Sequence, residues 1–126
     1  MKDKLISKAE LIVFKQNANV ILELAAKVAG ISGQCISTGD LVLGIDIDDQ
    51  DKDFWNPLDD EEDSKALVDS LSLEVEVDTK RKNISVRTPH GLIVRSDYEE
   101  SKLDETKRRL IVMTVVSIGV LTNYIK

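Results

Sequence analysis

The chain has 126 residues, 42% of them hydrophobic and 32% charged, with six Gly and two Pro. That composition excludes a disordered, fibrous or low-complexity chain. The length suits one core that buries roughly two thirds of the unfolded surface, so a single α+β domain over 1–126 is expected. The lone Cys35 excludes an internal disulfide, and no signal peptide is legible in the charged start Met1-Lys2-Asp3-Lys4, so a cytoplasmic location is expected. The longest nearly apolar run, Leu110 to Leu121, is shorter than the roughly 20 residues that a bilayer demands, and no membrane partner is expected.

The net charge of −6 is unevenly placed. Between Asp46 and Asp63 ten acids stand against one base, Lys52, a local net of −9. The remaining residues, 16 bases against 13 acids, carry +3, with basic clusters at Lys80-Arg81-Lys82 and Lys107-Arg108-Arg109. A phosphate-neutralising surface needs a dominant basic face, and a pI near 4.8 argues against direct binding of nucleic acid.

In chain order, Lys4 to Lys15 has helical spacing (Leu5, Ala9, Ile12, Val13) and is read as helix, although Leu11-Ile12-Val13-Phe14 fits a strand equally well. Ile21, Leu24, Ala25 and Val28 fall on one face of a helix that Asn19 caps and Gly30 stops. Gly30 to Gly39, with Ser32, Ser37 and Thr38, reads as a flexible loop. Leu41, Leu43, Ile45 and Ile47 alternate as a strand with one buried face. Pro57 and the acids Asp59 to Asp63 suit a helix N-terminus, and Leu67, Val68 and Leu71 give that short helix its apolar stripe.

Leu73, Val75 and Val77 then alternate strictly with Glu74, Glu76 and Asp78, and Ile84 to Thr88 and Leu92 to Arg95 return across short turns. Connections that short carry an antiparallel meander, not parallel crossovers. A one-residue slip would bury carboxylates at several kcal/mol each, so the valines are expected to face the core. Leu110 to Thr122 is rich in β-branched residues but too long for an ordinary strand, and the acids Asp104 and Glu105 lead into it, so helix is expected. The expected architecture is an antiparallel sheet of about four strands sandwiched between helices. The last helix is apolar nearly all round. It must be covered on several sides, either by a second copy in a homodimer or by the Lys4 to Val28 region of the same chain.

The first helix Leu22-Glu23-Leu24-Ala25-Ala26-Lys27-Val28-Ala29-Gly30, the turn Trp55-Asn56-Pro57, and Ala66-Leu67-Val68-Asp69-Ser70-Leu71 running into the Leu73-Val75-Val77 strand carry a resemblance, as does Glu105-Thr106 before the last helix. Over roughly Asn19 to Leu121 the chain resembles the small phage and prophage proteins with an α-β-α (ABA) sandwich domain. The resemblance implies a phage or prophage accessory protein and no catalytic residues.

The residues themselves point to little chemistry. Asp46-x-Asp48-x-Gln50 and Asp49-x-Asp51-x-Asp53 look like the start of a calcium loop, but Lys52 and Pro57 fall on ligand or turn positions of the first frame. In the second, Phe54 stands where Gly is required and Asp60 where a bidentate Glu belongs. Cys35 and His90 are the sole thiol and imidazole, too few for a tetrahedral metal site, and read as a small hydrophobe and a turn residue. The glycines 30, 33 and 39 match no phosphate-binding fingerprint. Trp55 with Phe54 reads as a plug anchoring the acidic loop.

The expected function is a non-enzymatic binding module, with no cofactor, for a host protein or small ligand. Its candidate surface is Trp55 with Asp46, Asp48, Asp49, Asp51 and Asp53. Two other readings stay open: an acidic DNA mimic that occupies a host nucleic-acid-binding protein, and a divalent-metal-dependent hydrolase using the aspartate loop.

Overall fold

The structure is a computed structural model that describes residues 2–5, 18–38, 41–47 and 54–121. In chain order the elements are β1 (Lys2–Leu5), α1 (Ala18–Ala29), β2 (Cys35–Thr38), β3 (Leu41–Asp46), β4 (Phe54–Trp55) and α2 (Glu61–Ser70). They continue with β5 (Glu74–Asp78), β6 (Asn83–Arg87), β7 (Leu92–Asp97), a short 3-10 turn (Glu100–Lys102) and α3 (Leu103–Leu121). The fold is α+β, with sheets packed against helices.

The expected meander is present. β5, β6 and β7 pair antiparallel, with Val75 opposite Val86, Val86 opposite Val94, and Val77 opposite Ile84. These residues share the face turned to the helices, where Ile84, Val86 and Val94 are fully buried, while Glu74 and Glu76 are exposed on the other. Asp78 stops β5 by accepting the Lys80 and Arg81 N–H groups on Oδ1 at 3.1 Å each, which holds the turn to β6. Thr88 closes the next turn, its N–H donating to the Leu92 carbonyl and its hydroxyl accepting the Leu92 N–H.

Three placements differ from the reading of the sequence. Lys4 and Leu5, read as the start of a helix, belong to β1, which adds to β7 in parallel with Asp3 opposite Ile93. That pairing spans most of the chain and leaves no local signal; the rest of that reading, 6–15, lies outside the described residues. Cys35 to Thr38, read as loop, is a strand because its backbone finds a partner in β3. β3, in turn, joins β2 and β4 in a separate three-stranded sheet instead of extending the meander.

α1 begins one residue before Asn19, and its fully buried positions are Leu22 and Ala25, with Ala26 nearly so. It ends as expected at Gly30, whose φ of +76° allows the Ile31 N–H to reach the Ala26 carbonyl at 2.8 Å and its own N–H to reach Lys27. α2 ends in the same geometry on Ser72, at φ +54°, with the Leu73 N–H on the Val68 carbonyl.

α3 is the centre of the molecule. It packs on β6 and β7, against α1 and against α2. Leu110, Ile111, Val112, Thr114 and Val115 are buried, and the Thr114 hydroxyl donates to the Leu110 carbonyl one turn back at 2.7 Å, so its burial leaves no polar atom unpaired. α1 covers part of the apolar circumference that suggested a second copy, while Met113, Val116 and Ile118 are half-buried. One hydrophobic core joins α1, Ile45 and Trp55 of the small sheet, the meander and α3. Among the described residues no helix is long and apolar enough to cross a membrane.

Candidate binding surface at the acidic edge

The acidic edge is organised by the turn that follows β4. β3 and β4 approach closely because position 44 is glycine: at φ +129° a side chain is strained, and a Cβ there would stand 2.7 Å from the Trp55 carbonyl oxygen and 3.0 Å from Asn56 Cβ. Gly33 does the same on the other side of the sheet, where a Cβ would run into the Asp46 carbonyl. With the strands that close, Ile45 faces Trp55 and Asp46 faces Phe54.

Trp55 is 5% exposed and lies in the core. It anchors the turn and is not part of an exposed contact surface. Asp46 is exposed at the end of β3, whereas Asp48, Asp49, Asp51 and Asp53 lie outside the described residues.

Asn56 is the hub that sequence reasoning missed. It is buried, its N–H donates to Asp63 Oδ2 at 2.9 Å, and its Oδ1 accepts the Leu58 N–H at 3.1 Å. Its Nδ2 donates to the Leu43 carbonyl and to Asp59 Oδ2, each at 3.4 Å, and its own carbonyl accepts the Asp60 N–H at 2.8 Å. An Asn before Pro is the available signal, because its side chain substitutes for a backbone turn. Pro57 belongs to this turn, and the helix starts four residues later with Asp60 as its cap, Oδ1 accepting the Glu62 and Asp63 N–H groups. From α3, Arg108 Nε donates to the Leu58 carbonyl at 2.8 Å, and Glu61 pairs with Arg108 at 3.2 Å and Lys107 at 3.6 Å.

Between β3, β4 and the start of α2 lies an open cleft of about 470 Å³, with Val42, Leu43 and Phe54 as its apolar part and Asn56, Asp59, Asp60 and Glu61 as its polar rim. The two chemically distinctive side chains are not brought together. Cys35 sits half-buried in β2, where burial first and the Glu23 charge second push its thiol above the ordinary range. His90 is exposed in the β6–β7 turn of the other sheet. Among the described residues no three His, Cys, Asp or Glu side chains are placed to hold a metal ion.

Comparison of the chain with family models, curated proteins and solved structures finds no match.

Proposed function

We propose that this chain is a phage or prophage accessory protein, working in the host cytoplasm as a binding module for a host protein or small ligand engaged at the acidic edge. The observation that carries the reading is the cleft beside β4: an apolar floor with carboxylates along one rim, inside the most acidic stretch of the chain. With Asp60 capping α2 and Glu61 paired to Arg108 and Lys107, the exposed Asp59 is the rim carboxylate placed to meet a positive charge, so the site favours a ligand that pairs an apolar group with one such charge. Cys35 and His90 lie on separate sheets, and burial raises the thiol pKa, so these two do not form a paired nucleophile and base. The DNA-mimic reading draws less support, because Asp63 is buried under Asn56 and Asp60 is spent as a helix cap, so neither presents a phosphate-like charge.

The test is affinity capture from host lysate with the whole chain and with the Phe54→Ala/Asp59→Lys variant, followed by mass spectrometry of bound proteins and small molecules. A specific ligand should be retained by the first, lost from the second, and released by salt. An identical bound set from both proteins overturns the cleft as the site.

A further inference from the structure

β5 ends the four-stranded sheet and, among the described residues, pairs on one side only, with β6. The backbone groups on its other side lie where an added strand would run, about 4.8 Å away. The two faces beside this edge differ in chemistry. On the inner face Val75 and Val77 are only half-buried, although they share that face with the fully buried Ile84 and Val86. With Val68 of α2 and Ile111 of α3 they line a slot of about 320 Å³ whose polar lining is Glu61, Ser64, Lys65 and Lys107, with Lys107 paired to Glu61 at 3.6 Å. On the outer face Glu74, Glu76 and Asp78 form the outermost row, with Arg87 directly opposite Glu74 on β6, Arg95 two strands in, and Arg81 lining a polar pocket with Glu76 and Asp78.

A second copy of this chain does not suit the edge. Antiparallel pairing about Glu76 sets Glu76 against its own counterpart and Glu74 against the second copy's Asp78, and like charges directly opposed destabilise a ladder. Other registers that keep the valines inward also oppose acid to acid, and a one-residue slip turns carboxylates into the slot.

We propose that the β5 edge is a strand-addition site for an extended segment of a partner protein in which Val, Ile or Leu alternates with Lys or Arg. The partner backbone continues the ladder, its apolar side chains enter the slot beside Val75 and Val77, and its bases lie over Glu74, Glu76 and Asp78. The apolar side chains of Val68, Val75, Val77 and Ile111 in the slot favour an apolar residue over a base, which fixes the face the segment turns inward. The surface lies on the other sheet from the cleft beside β4, shares Glu61 with it, and does not rest on it.

The experiment titrates the ¹⁵N-labelled full chain with a synthetic peptide alternating Val and Lys, with its Val/Glu counterpart, and with the Val/Lys peptide N-methylated at alternate backbone positions. Shift changes and slowed amide exchange confined to β5 and the slot are expected with the first peptide. Binding should be at least about tenfold weaker with the second and third. The exposed pair Glu74→Lys/Glu76→Lys should reverse the preference between Lys and Glu peptides in a protein that stays folded but melts lower, because a base at position 74 stands directly opposite Arg87, and Glu76→Gln should give an intermediate loss. The proposal is overturned by an absence of shifts at millimolar Val/Lys peptide, by shifts centred on Phe54, by indifference to N-methylation, or by a preference the charge reversal leaves unchanged.

Discussion

Across the meander, Val75 faces Val86 and Val86 faces Val94 without interruption, whereas the small sheet shifts register between Ile36 and Ser37 and closes on the two-residue β4. Both sheets contribute to one core, yet they are held in place by different physics. In the meander each strand's alternation decides its face, so register is fixed by the free energy of keeping carboxylates in water. In the small sheet two glycines decide how closely backbones approach, and Asn56, Asp63 and Arg108 then fasten the following turn to α2 and α3. Regular alternation tolerates change at its edge, while a close backbone approach tolerates little anywhere.

The largest expected effect separates the interior of the meander from its edge. Ile84→Asp buries a charge at a fully covered position and should leave no cooperative unfolding transition, whereas Val75→Asp, half-exposed on β5, should stay folded and lose roughly 1–3 kcal/mol by chemical denaturation. Equal effects at the two positions would break the distinction between interior and edge.

The next test concerns glycine. Gly44→Ala meets both backbone strain and the Trp55 carbonyl and should cost about 2–6 kcal/mol, while Gly30→Ala, also at positive φ but facing open space, should cost only about 1–2 kcal/mol. A Gly44→Ala protein as stable as Gly30→Ala would show that the strand approach is soft. Smaller, and opposite in sign, is Ser72→Gly: relieving a left-handed serine at the end of α2 should stabilise by about 1 kcal/mol, read as a raised denaturation midpoint.

The smallest effect is kinetic. With its pKa raised in the folded chain, Cys35 carries less thiolate at neutral pH, so iodoacetamide should modify it more slowly in the folded protein than in urea. Because the folded state holds that proton more tightly, any stability it contributes is present below the ordinary thiol pKa and fades as pH rises through the folded value.

The faces of β5 and β6 were legible in the sequence because a period of two, sustained over Leu73 to Asp78, admits only one register with the carboxylates in water. The helical state of Leu110 to Leu121 was legible from its length and acidic lead-in, despite its β-branched residues. The end of α1 was legible from Gly30. Tertiary structure alone decided that Lys2–Leu5 pairs with a strand some 90 residues away, that β3 leaves the meander for a sheet of its own, and that α1 covers α3. It also placed Trp55 in the core and made Asn56 the fastener of the acidic edge. The reason is one of range. Alternation, caps and turns act between neighbours, while the choice of partner strand and the burial of a particular aromatic depend on surfaces that exist only once distant segments meet.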